Sequence, residues 1–178
     1  MSWPALGRPP TTLLGSAQLD IPHGRMTLWH VEHCSGDFVG WSESHYVIPV
    51  MHHNPNRMVA PVDIDGHRVV ALIDWGANTT TVTTQTATEL GVTPAMLSGD
   101  RSGTSRGLDQ NQNQAYLHHF DEVRIGRETF HHLGLAVSDL HVQEAAMLLG
   151  ADYMRTRRIW LSYATRQMFV VPPKAAAP

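Results

Sequence analysis

ALIDWGANTTT, residues 71–81, carries an apolar, β-prone run into an aspartate, then a Gly-containing turn, then a string of small hydroxyl residues. That pattern presents a carboxylate from the end of a strand. A bare Asp74-Trp75-Gly76 turn also occurs in ordinary hairpins, so the reading depends on what surrounds it. Upstream, MVAPVDI and HRVVALID flank Asp65-Gly66, a two-residue connection between β-rich runs that is the strongest short-range hairpin signal. Downstream, Thr84 to Leu90 can form a short helix stopped by Gly91.

Farther along, residues 98–114 are polar, Gly-containing and read as flexible. YLHHFDEVRI, ETFHHLGLAV and AAMLLG then follow as three strand-like runs separated by turns. ADYMRTRR is suited to two helical turns, and IWLSYATRQMFVV to a final hairpin. Short strands at regular spacing with few helices predict an all-β barrel or sandwich-like domain. Before residue 58 the chain offers a hairpin over Leu19–Val31 around a Pro/Gly turn, and a strand over Tyr46–Val50. A partial internal repeat links the two ends. Leu13-Leu14-Gly15 precedes LDIPHGRMTLW and Leu148-Leu149-Gly150 precedes LSYATRQMFVV, with equal turn lengths and Met26 matching Met168.

Residues 58–171 resemble the retropepsin-like aspartic proteases, in their bacterial form. VDIDGHRVVALIDWGANTTTVTTQTATELGV is similar to the family's inner hairpin, Asp-Thr/Ser-Gly-Ala loop and short helix. MLLGADYMRTRRIWLSYATRQMFV is similar to its closing apolar-apolar-Gly, helix and last hairpin. The two motifs occur in the family's order, with strand, flap and helix material between them. The resemblance implies a retropepsin-like barrel with one or two short helices, preceded by an N-terminal hairpin arm. Residues 1–57 form that arm, read as the remnant of a second lobe like that of two-lobed bacterial relatives. Residues 58–171 form the protease domain, and 172–178 a disordered tail.

The family likeness also implies a chemistry. Asp74 is the catalytic carboxylate, and Trp75, Gly76 and Ala77 complete its loop. Leu148, Leu149 and Gly150 pack beneath that loop and hold it, while Gly103, Gly107 and Leu108 lie in the substrate-binding flap. Two carboxylates a few ångströms apart share one proton; one activates a water while the other protonates the substrate. One Asp-x-Gly per chain supplies one carboxylate, so the family mechanism requires a C2 homodimer with the site on its axis. The substrate is a peptide or protein, with no cofactor. Trp75 departs from the pattern. The family's Thr or Ser hydroxyl spans the two loops, whereas indole has one donor, no acceptor and far more volume. An alternative is therefore a catalytically impaired module of the same fold that binds peptides or partner strands, its site blocked by Trp75; the indole is either an intruder on the axis or a core anchor.

Composition narrows the remaining classes. Over 178 residues, 42% hydrophobic and 16% charged content is that of a globular chain with a real core. A net charge of −3 without a basic cluster argues against nucleic acid and anionic membranes as partners. No apolar run reaches the roughly 18 residues of a membrane span, no signal peptide is visible, and Cys34 stands alone; the expectation is a cytoplasmic protein. Twelve histidines, including His52-His53, His118-His119 and His131-His132, with His30 and His33 beside Cys34, raise a second alternative, a His-rich metal-binding β-protein. Adjacent histidines on a strand point to opposite faces, so each pair offers one ligand to a given site. Gly103-Thr104-Ser105-Arg106-Gly107 matches Gly-x-Ser-x-Gly, but it lacks the apolar strand before and the helix after that a nucleophile elbow needs.

Overall fold

The structure is a computed structural model that describes residues 15–29, 39–54, 57–106, 112–140, 142 and 145–173. The fold grows from the Asp65-Gly66 hairpin. Asp65 and Gly66 adopt φ of 47° and 80°, the paired left-handed geometry whose twist matches that of flanking strands. They join β5 (Arg57–Ile64) to β6 (His67–Ile73) in antiparallel register from Ile64↔His67 to Val59↔Leu72. β6 then runs parallel to β11 (Met147–Leu149), which pairs antiparallel with β7 (Thr81–Thr83). β7 runs parallel to β10 (Glu128–Ser138), and β10 antiparallel to β9 (Gln112–Ile125). Along its outer edge β5 changes partner, from β4 (Met51–Asn54) to the far end of β9 at Val62↔Ile125 and Ile64↔Val123. That last pairing closes the sheet into a barrel filled by Val62, Ile64, Phe120, Val123, Ile125, Val137 and Leu149, all buried. The chain is mostly strand with a few short helices, an all-β architecture.

Three α-helices are present among the described residues. α1 (Thr84–Glu89) is capped by Thr83, whose Oγ1 accepts from Thr86 N at 3.1 Å, and is followed by Gly91 at φ 91°. α2 (Pro94–Gly99) was not expected from the polar segment it opens, although Thr93 caps it and Pro94 occupies its first turn. α3 (Ala151–Met154) is a single turn, half the length expected. Within the 98–114 segment, expected to be flexible, β8 (Arg101–Arg106) pairs with the start of β9, Arg101↔Leu117 to Arg106↔Gln112.

A second, five-stranded sheet runs β2-β1-β12-β13-β3, with β1 (Ser16–Asp20), β2 (Arg25–Trp29), β3 (Tyr46–Pro49), β12 (Arg158–Ser162) and β13 (Gln167–Val171). Pro172 and Pro173 follow as exposed residues, and the remainder of the tail lies outside the described residues.

A buried polar cluster bolts this sheet to the barrel. Glu128 of β10 accepts bonds from Arg157 Nε and Nη2, both at 2.8 Å, and from the Tyr46 hydroxyl of β3 at 2.5 Å. Arg157 lies over the Tyr153 ring, 4.2 Å from its centroid. Burial opposes the charge on Glu128, but the bonds from Arg157 and Tyr46 outweigh it and hold its carboxyl below the usual carboxylate range. Burial, the neighbouring Tyr153 and the bond to Glu128 push the Tyr46 hydroxyl far above the normal phenol range. Breaking a buried pair from one side leaves an uncompensated charge. Glu128→Ala is expected to cost ~3–5 kcal/mol in urea denaturation at neutral pH. Because the folded carboxyl titrates below its unfolded value, its contribution is complete above the ordinary carboxylate pKa and is lost as pH falls through the depressed one. Glu128→Gln should therefore flatten the fall of stability on acidification, read by melting temperature against pH.

Candidate active site

β6 ends at Ile73, and the next backbone N–H, that of Asp74, donates to Leu149 O at 3.0 Å, extending the parallel pairing with β11 by one bond. The chain then turns: Ala77 N–H donates to Asp74 O at 3.2 Å, and Gly76 N–H to Asp74 Oδ1 at 2.9 Å. The second bond sets the orientation of the carboxylate. It also explains Gly76, where a Cβ would stand 3.1 Å from that same oxygen. Asp74 is half-buried.

Leu149 and Gly150 are buried against the loop, and Leu148 is half-buried beside Leu72. Ala151 N–H donates to Ala77 O at 2.8 Å, pinning the far side of the turn. The tightest contact is at Gly150. A Cβ there would meet the Thr79 carbonyl carbon at 2.6 Å and Thr80 N at 2.8 Å, so no larger residue fits. Gly150 N–H donates to Thr80 Oγ1 at 3.0 Å. Thr80 in turn gives its N–H and its hydroxyl to the two oxygens of Asp152, at 2.7 and 2.6 Å. Asp152 Oδ1 also accepts from Tyr153 N at 2.8 Å, so this second carboxylate is committed to holding the loop. Thr80 and Asp152 were in plain view, in the hydroxyl run and in LLGADYM, but neither carries a signal of its own because the contact joins residues far apart in the chain.

Trp75 stands at the loop tip with 38% of its surface exposed. It therefore anchors no core in this chain, contrary to one of the two roles open to it from sequence. Of the residues expected in a flap, Gly103 lies exposed on β8 opposite Ala115, and Gly107 and Leu108 lie outside the described residues. Ser105 lies within β8, paired opposite Asn113, and not at a strand-to-helix turn such as a nucleophile elbow requires. A depression of about 290 Å³ runs along this hairpin, lined by Arg101, Gly103, Tyr116 and Leu117 among others; Asp74 does not line it.

The histidines among the described residues are dispersed. His118 is buried with Nδ1 2.7 Å from Asp100 Oδ2, whereas its neighbour His119 is exposed and stacks on His132 at 4.8 Å. Among the described residues no three His, Cys, Asp or Glu side chains converge on one point. His30, His33 and Cys34 lie outside the described residues, as do the side chains of His52 and His53. Nor is any helix among the described residues long and apolar enough to cross a membrane.

Comparison with known proteins agrees with this architecture. The family model described as "gag-polyprotein putative aspartyl protease" matches residues 60–156, more than half of the chain. A retropepsin-like aspartic protease from Rickettsia conorii is similar in structure, at a TM-score of 0.53 and 17% identity, over 75% of this chain and 96% of that one. EIAV protease complexed with an inhibitor aligns over 60% of this chain and 92% of its own, at 19% identity and a TM-score of 0.43. Curated protein sequences give no match.

The loop clamp makes a direct expectation. Thr80→Val keeps the side-chain shape but strands Gly150 N–H and removes the hydroxyl bond to Asp152 Oδ1, at a cost of ~1–3 kcal/mol. Gly150→Ala drives a methyl group into the Thr79–Thr80 backbone and should cost at least as much. Both should speed amide hydrogen exchange over residues 74–80 well beyond the change elsewhere. Uniform acceleration across the chain would show that the bonds do not hold the loop in particular.

Proposed function

The chain belongs to the gag-polyprotein aspartyl protease family, retropepsin-like in fold, and on that premise we propose that it is an aspartic endopeptidase whose dyad pairs Asp74 with Asp74 of a second copy. The observation that carries this reading is the Asp74 carboxylate itself, aimed by Gly76 N–H at 2.9 Å and seated on a loop tied to β11 and α3. A rigid seat matters because displacement of about 1 Å can cost ~100-fold in rate.

In the proposed reaction two Asp74 carboxylates hold one proton and one water between them. The ionised member takes a proton from the water as it attacks the peptide carbonyl carbon. The protonated member gives its proton to the carbonyl oxygen, producing a tetrahedral diol. Return of a proton to the amide nitrogen then lets the C–N bond break. Burial of the dyad by substrate and by the β8–β9 hairpin would exclude competing water. The second copy is needed because Asp152, the carboxylate tied to the same loop, is engaged by Thr80.

The exposure of Trp75 supports a second reading, a peptide-binding relative with impaired catalysis. Two indoles cannot fill the space of two hydroxyls on the axis without moving the loops. Since Trp75 is not packed in a core, Trp75→Thr should leave the melting temperature within a few degrees and raise cleavage of an unfolded protein substrate. Equal rates for wild type and variant would show the hydroxyl to be dispensable here. Asp74→Asn preserves shape, removes the titrating carboxylate and should abolish cleavage while circular dichroism stays unchanged; undiminished cleavage would reject the assignment. Sedimentation in the micromolar range should approach twice 19.8 kDa.

A further inference from the structure

The β1–β2 hairpin repeats the β12–β13 hairpin pair for pair. Ser16↔Trp29, Leu19↔Met26 and Asp20↔Arg25 in one correspond to Arg158↔Val171, Leu161↔Met168 and Ser162↔Gln167 in the other, each residue 142 positions on. The turns agree too, with Gly24 at φ 63° and its counterpart Arg166 at φ 57°. The pairing between the hairpins obeys the same relation. Gln18 faces its own counterpart Trp160, while Ala17↔Leu161 and Leu19↔Ile159 exchange places across that centre. An approximate two-fold axis therefore pierces the sheet between Gln18 and Trp160.

The likeness stops at the barrel. Met168 and Val170 are fully buried beneath it, with β3 paired along the outer edge of β13. Their counterparts Met26 and Leu28 are 49% and 69% exposed, and no described strand flanks β2. Among the described residues, no barrel covers Met26 and Leu28 as one covers Met168 and Val170.

We propose that the edge of β12 now covered by β1 is the docking site of a second copy's β12–β13 hairpin, and that β1–β2 is an in-chain surrogate which the second copy displaces. This rests on the homodimeric reading above and states how the dimer forms. The incoming hairpin has the register that β1 already uses, so the ladder re-forms strand for strand. It arrives with Met168 and Val170 already buried under its own barrel, and it brings the second Asp74. What the β1–β2 hairpin makes there is a five-pair ladder with Leu19 and Ile21 packed on the core, Trp29 stacked on Trp160 at 5.6 Å and Asp20 4.0 Å from Arg158. The incoming hairpin would match that ladder without leaving an apolar face like that of Met26 and Leu28 in solvent. The free chain is then a monomer with its dimer edge capped, and dimerisation exposes the N-terminal hairpin.

Hydrogen exchange on the full-length protein, across a concentration series followed by sedimentation, tests this. Amides of 16–29 should be protected in the dilute monomer and lose protection as dimer appears, while 158–171 stay protected throughout. Leu19→Asp, which weakens β1 against the barrel, should lower the dimer Kd about tenfold or more, equivalent to ~1.4 kcal/mol. Met26→Ser with Leu28→Ser should leave the dimer Kd within about twofold, since that face is released rather than buried. The inference is overturned if 16–29 stays protected in the dimer, if the Met26/Leu28 variant weakens the dimer, or if wild-type chain stays monomeric at every concentration. Wild-type exchange decides even if Leu19→Asp fails to fold. A dimer with released hairpins that cleaves nothing would remove the protease reading and leave this inference standing. A cleaving dimer with β1 still bound would do the opposite.

Discussion

Everything about the candidate site depends on the meeting of Gly150 with Thr79 and Thr80. Backbone there approaches backbone so closely that a single methyl group would not fit. That proximity brings Gly150 N–H within reach of Thr80 Oγ1 and puts Asp152, two residues on, opposite both Thr80 donors. With the Asp74–Leu149 and Ala151–Ala77 bonds, three residues after β6 (Asp74, Ala77 and Thr80) are tied to four consecutive residues, Leu149 to Asp152, that run from the end of β11 into α3. The loop has no regular structure of its own. Its shape is imposed by a segment from the other end of the domain, and the orientation of the carboxylate follows from that shape.

The Glu128 cluster does for the whole domain what this clamp does for the loop. Tyr46 from the outer sheet, Glu128 from the barrel and Arg157 from the turn before β12 meet in one network. A charged pair of this kind adds little stability over a well-packed apolar substitute. Its geometry is demanding, however, so the second sheet can dock in few orientations. Gly126 adds to this. Any side chain there would run into Tyr46 and Ile48 at 2.7 Å, and its φ of 60° turns β9 back into β10 just below the docked strand.

How much of this could be read from residues alone follows the range of the interactions. The Asp65-Gly66 hairpin, the Thr83-capped α1 and the closing hairpin are local, and their turn chemistry is written in adjacent residues. The Asp74 turn needed two motifs seventy-odd residues apart before it stood out from any other Asp-x-Gly. α2 was concealed by the polar stretch that follows it, though Thr93-Pro94 marks its start. The closure of the barrel through β5 and β9 was not legible, because it depends on two strands that each trade one edge partner for another midway. The clamp between Thr80 and Asp152 was equally silent, since hydroxyl and carboxylate residues are common and only their meeting gives them a role. The exposure of Trp75 likewise depends on which way a short turn faces.

The parallel pairing of β6 with β11 has a consequence in time. Ala71, Leu72 and Ile73 wait for Met147, Leu148 and Leu149, and closing so long a loop is an entropic barrier that local contacts do not lower. The hairpins on either side can form in microseconds, but the seat of Asp74 is complete only when β11 slots between β6 and β7. During synthesis, that cannot happen until residues near Asp152 have left the ribosome. The reactive loop is thus among the last parts of the domain to take shape, and a chain still being made carries an aspartate without a site.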